Sequence, residues 1–171
     1  MEILVTLPAS GSKVPERRQR ARSGPSLHAL FFSVPQVQLC LPLEHVHKVL
    51  AIPALQEVPD AAEHVMGLLN LGGEIMPVVD LCMLLKRPVF DYTVDTPVLL
   101  CESKGRRFGV VVEAVSGVGH IDNQQRRMDG VVRDGRAPFL TVFDGNAGLV
   151  FMLDLDQLSQ GLQMDLAAAS A

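Results

Sequence analysis

The residues with most capacity for chemistry are five histidines, three cysteines and two aspartates at matching places in the chain. His45 and His47 stand two apart, so an extended strand puts both on one face, with Cys40 close by in sequence. A zinc site draws about four such ligands, and no second compact pair accompanies them; His28, His64 and His120 are scattered. A cysteine nucleophile needs a neighbouring cation or helix terminus to hold it as thiolate. Cys40, Cys82 and Cys101 each sit inside an apolar pattern instead, which points to packing. Asp80 and Asp154 could be an acid/base pair. Yet each directly precedes leucines at helical spacing, where a carboxylate satisfies orphan N–H groups and faces the helix dipole. Gly117-Val118-Gly119 lacks the third glycine of a dinucleotide loop, and neither GxxxxGK nor GxSxG occurs. No catalytic, metal-binding or cofactor-binding set emerges, so the expectation is a protein that works by binding.

The elements around these residues are short strands. Leu30, Phe32 and Val34 alternate, Pro35-Gln36 breaks the run, and Val37, Leu39 and Leu41 return as the second arm of a hairpin. Val46 to Ile52 is extended; Pro53 and Pro59 bracket a loop; Ala61 to Met66 reads as a short helix with Asp60 as N-cap and Glu63 at N3. Leu68 to Leu71 and Ile75 to Val79 are strands around a Gly72-Gly73 turn, since paired glycines readily supply positive φ. Pro77 inside the second implies an edge or a bulge. Asp80 then caps a helix. The pattern restarts with strands at Val98 to Cys101 and Arg107 to Val112 around a Ser103-Lys104-Gly105 turn. Val110-Val111-Val112 is apolar without alternation, as in a strand covered on both faces. Val115 to Ile121 is another strand. Residues 122–138, with Arg126, Arg127, Arg133 and Arg136, read as a surface loop. Phe139 to Phe143, an Asp144-Gly145-Asn146 turn and Gly148 to Leu153 make a last hairpin, and Asp154 caps a helix through about Gln160.

The chain repeats itself. Shifted by 69 residues, His28 to Val49 lies over Pro97 to Val118 without a gap; Val46 falls on Val115 and Val49 on Val118. Shifted by 74, Asp80-Leu81 with Leu84 falls on Asp154-Leu155 with Leu158. Each half is strand, turn, strand, strand, hairpin, Asp-capped helix. Five short strands are too few for a sandwich but suit a small closed barrel, which removes exposed edges. So small a barrel has a thin core. Two gain by packing together, with the strand at Val110 to Val112 as the seam.

Asn70-Leu71-Gly72-Gly73-Glu74-Ile75-Met76-Pro77-Val78-Val79-Asp80-Leu81 closely resembles the signature of CheW-type coupling proteins of bacterial chemotaxis, Asn-Leu-Arg-Gly followed by Pro-Val-x-Asp-Leu. The resemblance extends over residues 28–160, through Leu-Pro-x-x-x-Val-x-x-Val at Leu41 to Val49, Pro59, Val65-Met66-Gly67, Gly109 to Val115 and Leu153-Asp154-Leu155. It implies an all-β fold with short helices, two tandem five-stranded SH3-like barrels packed together, as two intertwined subdomains of one domain over roughly 28–90 and 96–160. It implies a non-enzymatic adaptor without a cofactor. Its partners would be the cytoplasmic tip of methyl-accepting chemoreceptors, the regulatory domain of a chemotaxis-type histidine kinase, and other CheW-like proteins in rings. By position, Val46 and Val49 match apolar groove residues; Asn70, Leu71 and Gly73 match the signature turn; Pro77, Asp80, Leu81 and Asp154 match structural positions. Two departures stand out: Gly72 replaces the signature arginine, a forked donor able to hold a carboxylate, and Lys48 stands where glutamate is frequent. Charge changes of this kind retune partner choice. A divergent regulator that competes for array positions without activating the kinase is the alternative.

Composition narrows the field further. A 48% hydrophobic share in 171 residues supports a buried core and excludes wholesale disorder. No apolar run reaches the roughly 18–20 residues of a membrane span, so no direct membrane insertion is expected. Met1 to Leu7 lacks the basic start and long apolar core of a secretory signal. Three widely spaced cysteines suit a reducing cytoplasm, and the resemblance implies association with membrane receptor arrays at the inner face. Residues 1–28 carry five Lys/Arg against two Glu, and the remainder ten against seventeen Asp/Glu. The acidic body argues against nucleic acid. The basic head reads as a flexible tail over 1–27, and 161–171 as a frayed end.

Overall fold

Alternating apolar residues on either side of Pro35-Gln36 make the first hairpin, β1 (Ser26–Val34) and β2 (Val37–Pro42), with Gln36 taking the left-handed turn position at φ 67°. The computed structural model describes residues 26–122, 126–129 and 138–169. A 3-10 turn at Leu43–His45 leads into β3 (Val46–Ala51). The hairpin β4 (Val65–Leu71) and β5 (Glu74–Asp80) follows, and then the one-turn helix α1 (Leu81–Leu84). The second half runs β6 (Pro97–Ser103), β7 (Arg106–Val111), β8 (Ala114–Asp122), β9 (Arg126–Asp129), β10 (Phe139–Gly145), β11 (Gly148–Leu153) and α2 (Leu155–Ala169). The repeat is therefore structural. Adding 69 to β2 gives the bounds of β7, and adding 74 to β4 gives those of β10.

The described residues form two sheets, ordered β8-β1-β2-β11-β10-β9 and β3-β6-β7-β5-β4. Replacing each strand by its repeat partner turns the first five strands of one order into the other. Neither sheet belongs to one half of the chain. The hairpin β1–β2 is held between β8 and β11, and the hairpin β6–β7 between β3 and β5. The halves have exchanged hairpins, so each sheet draws strands from both segments of the chain. The architecture is the expected mainly-β, paired SH3-like type.

The exchanged hairpins are apolar on both faces. Leu30, Phe32, Leu39 and Leu41 from one meet Leu99 and Val110 from the other in a single shared core. The opposite faces fill separate smaller cores, with Cys40 in one sheet and Val98, Leu100 and Val111 in the other. Val110, Val111 and Val112 are all fully buried, and Val110 and Val112 line the expected seam. Each such side chain contributes about 1.5–3 kcal/mol when removed from water, so the shared core is the main bond between the sheets.

Both helices begin as expected. Asp80 Oδ1 accepts from the N–H groups of Cys82 (2.8 Å) and Met83 (3.2 Å), and Asp154 Oδ1 from that of Gln157 (3.0 Å). Each cap residue is fastened alike: Asp80 N–H donates to the His64 carbonyl and Asp154 N–H to that of Pro138. Elsewhere tertiary pairing overrides local pattern. Ala61 to Met66 is not a helix: Asp60 sits at φ 58°, and Val65 is drawn into a strand opposite Val79. Pro77 lies in an interior strand, not at an edge. Its partner Leu68 turns both backbone groups toward Gln56, and pairing with β7 starts only at Val78, so no ladder requires the missing N–H. Part of the 122–138 loop is the strand β9, paired with β10; Arg133 and Arg136 lie outside the described residues. The last hairpin turns at Asn146-Ala147. α2 runs past Gln160 to Ala169, through the segment expected to fray, because Leu155, Leu158 and Leu162 recur on one buried face. The expected tail over 1–27 falls almost wholly outside the described residues.

The exchange predicts that neither half folds alone, since a hairpin without flanking strands is marginal in water. Separately produced pieces 1–92 and 93–171 should each give collapsed amide NMR spectra, and mixing them should restore dispersion. A dispersed spectrum from either piece alone would contradict the topology.

Candidate functional site

The expected interface residues lie on two exposed parts of one sheet. β3 is the terminal strand of its sheet and carries Val46, Lys48 and Val49. Residues three apart on a regular strand face opposite sides. Here a register shift between Val46 and Lys48 bulges the strand at His47. Val46 then stands opposite Cys101 and Val49 opposite Leu99, so both valines share the face of the common core. Val46 packs against that core, while Val49 remains 41% exposed. Lys48, opposite Leu100, takes the other face and is exposed.

The repeat doubles this arrangement. β8 is the terminal strand of the other sheet, and its register shifts at Ser116, the position equivalent to His47. Val115 stands opposite Phe32 and Val118 opposite Leu30, again on the shared-core face. Val115 packs on the core, and Val118 is 58% exposed. The repeat placed these valines over Val46 and Val49 without nominating them as site residues. The matching bulges, invisible in sequence, are what make the two pairs equivalent.

The signature turn is a two-residue hairpin. Gly72 and Gly73 have φ of 64° and 92°, the positive values that such a loop requires, and Asn70 Oδ1 accepts from Gly73 N–H at 3.0 Å. Asn70 to Ile75 is exposed throughout. A chain of polar and charged side chains links this hairpin to β3 across the sheet. His47 Nε2 lies 2.9 Å from Glu102, Arg107 Nε donates to Glu102 at 3.0 Å, and its other arm donates to Glu74 at 2.8 Å. The Arg107 guanidinium, ahead of His47, holds the Glu102 carboxyl below the usual carboxylate range, with desolvation opposing. Although Gly72 lacks the signature arginine, a guanidinium therefore stands beside the next residue of the hairpin but one.

The chemically suggestive residues occupy separate surroundings. Cys40 is buried, away from the exposed edge that carries His47. His28 and His120 meet edge to face at 4.0 Å across β1 and β8. His64 pairs with Asp165 at 2.9 Å, tying α2 to the start of β4. Asp80 is 1% exposed; besides its capping bonds it accepts from the Tyr92 hydroxyl, whose pKa burial and this carboxylate raise. Among the described residues, no three His, Cys, Asp or Glu side chains gather as metal ligands would, and no helix is long and apolar enough to cross a membrane.

Residues 28–163 match the family model described as CheW-like domain. A "Chemotaxis protein CheW" of Rhizobium meliloti is 28% identical over 51% of this chain; that match spans 56% of the relative's length. A "Chemotaxis protein CheW" of Thermotoga maritima is 27% identical over 75% of this chain and 85% of its own. The crystal structure of "scaffolding protein TtCheW" from Thermoanaerobacter tengcongensis superposes with a TM-score of 0.69, at 22% identity, over 75% of this chain and 89% of that one. This last likeness speaks for the fold.

Burial pushes the thiols of Cys40 and Cys101 up to about 12, and burial with the nearby Asp80 carboxylate does the same for Cys82. At pH 8 only about one thiol in ten thousand is then thiolate. All three should resist an aromatic disulfide reagent in the folded chain and react together on unfolding in denaturant. Rapid stoichiometric labelling of the native chain would show a reactive cysteine.

Proposed function

The chain belongs to the CheW-like domain family, and from that premise we propose that it is a non-enzymatic adaptor that couples chemoreceptors to a chemotaxis-type histidine kinase. The observation that carries this reading is the pair of bulged strand ends, each presenting an exposed valine beside the shared core. Val46 and Val49 from β3 and Val115 and Val118 from β8 offer apolar anchors on the same core face of the two sheets. Such a face suits helices laid into a groove, with apolar side chains supplying affinity and the polar surround setting register. The receptor's cytoplasmic helical hairpin is the proposed occupant.

The signature hairpin Asn70 to Gly73, with Glu74 and Arg107 beside it, is the proposed polar contact for the receptor or for the kinase regulatory domain. Lys48 and Gly72 then distinguish this chain's partners from those of relatives that carry glutamate and arginine there, since a reversed charge at an interface rejects partners as effectively as a new contact attracts them. Association with receptor arrays at the inner membrane face follows from this role.

The test is reconstitution with a receptor signalling tip and the kinase from the same cell. The chain should bind both and raise kinase activity. Binding to neither would remove the proposal, and binding without stimulation would mark the competing regulator instead. Val49→Asp and Val118→Asp should each weaken receptor-tip binding about tenfold or more, as buried anchor residues do, with an unchanged unfolding midpoint because both sites are exposed. Unchanged affinity in both variants would place the receptor elsewhere. Gly72→Arg has open space, with nothing within 4 Å of an added Cβ, but needs φ near 64°. It should cost about 1–2 kcal/mol of stability while shifting preference among receptor tips in parallel calorimetric titrations.

A further inference from the structure

The two helices begin alike and end differently. After α1, Lys86 turns left-handed at φ 53° and Pro88 follows, so the helix stops within one turn. α2 has no such stop and lies across the β3–β7 sheet, burying Leu158 and Leu162 in the same cluster as Phe108. Where its Leu166 passes Arg106 and Pro77, a narrow cleft of about 310 Å³ remains.

The repeat carries Arg106, Pro77 and Ser159 of that cleft onto Val37, Phe151 and Leu85. These line a second, larger cavity of about 510 Å³ over the other sheet. Its walls are Val37, Leu84, Leu85, Phe139 and Phe151, with the two phenylalanine rings 5.2 Å apart. Among the described residues no helix covers it. Lys86 and Arg87 stand at its rim; Arg87 is fixed there by donating to the Pro35 carbonyl at 3.3 Å and to Gln36. No residue of β3 or β8 lines it.

We propose that this cavity docks an acidic amphipathic helix of a partner protein, with leucine-type residues at the spacing that α2 uses. In the other half the matching place is bordered by the part of α2 beyond Leu158, the stretch that α1 lacks. α2 carries Asp156 and Asp165 and no Lys or Arg. Lys86 and Arg87 complement a helix of that charge. The chain's own segment 1–25, with five Lys/Arg against two Glu, does not suit this rim. Because the wall shares no residue with the β3 and β8 edges, this site and the proposed receptor face stand or fall separately.

The probe is a fluorescein-labelled peptide of residues 154–171 bearing Gly161→Ala, titrated with the full chain and followed by anisotropy. Saturable binding is expected, with methyl NMR shifts at Val37, Leu84 and Leu85. Lys86→Glu, an exposed change that should leave the unfolding midpoint in place, should weaken binding about fivefold or more at low salt. A peptide with alanines for Leu162 and Leu166 should not bind. Absence of saturable binding, equal affinity for Lys86→Glu, or methyl shifts at the chain's own Leu162, Val46 or Val118 in place of Val37 would overturn the proposal. So would much tighter peptide binding after deletion of residues 1–25, which would make that segment the occupant. Dimerisation abolished by Lys86→Glu would overturn it too, by making a second copy the occupant.

Discussion

Everything in this molecule rests on burying two hairpins that are apolar on both faces. A strand such as β6, with Val98 and Leu100 on one side and Leu99 and Cys101 on the other, cannot leave either face in water. A five-stranded sheet built from one half of the chain would cover only one side of it. Setting the two hairpins back to back solves the problem once for both, and exchange gives each hairpin its flanking strands. The shared core, the pseudo-twofold relation of the sheets and the placement of both helix caps follow from that arrangement.

The same arrangement explains where surface features occur. β3 and β8 are the strands that flank the exchanged hairpins on their outer sides, so each becomes a sheet terminus beside the shared core. A bulge twists and re-aims a strand at such a margin, and the matching bulges at His47 and Ser116 are what bring Val49 and Val118 onto the shared-core face beside Val46 and Val115. Symmetry is broken where the second half departs in sequence. Five extra residues between β8 and β10 allow β9, and the lack of a proline after Leu158 lets α2 run on.

Much of this was legible in the residues. Strand alternation, the Gly72-Gly73 turn, the aspartate caps and the ungapped repeat all reflect chemistry within a few residues of chain, and there the expectations agree with the structure. Failures occurred where distant partners decided. Residues 61–66 carry a reasonable capping pattern, yet pairing of Val65 with Val79 and the left-handed Asp60 exclude a helix. The arginine-rich segment gains a strand only because β10 offers an edge. Pro77 is not at an edge, but the β4–β5 ladder bulges between Val65 and Gly67 beside it, and its partner Leu68 bonds to Gln56 instead. Of the candidate site, the positions of Val46, Val49 and the signature turn were readable. Their geometry was not, since it depends on one unpaired residue in a ladder formed with strands 50 or more positions away.

The exchange also bears on how the chain is made. β1 finds its outer neighbour only in β8, with Ser26 opposite Asp122. During synthesis, the first three strands and the β4–β5 hairpin therefore leave the ribosome with no complete sheet to join. Closing so long a loop is slow compared with local hairpin formation. At roughly 5–20 residues per second, the nascent chain spends several seconds presenting bare apolar strands before β6 to β8 arrive. The interlock that joins the two halves of the finished protein thus leaves its unfinished form with apolar strand faces in water.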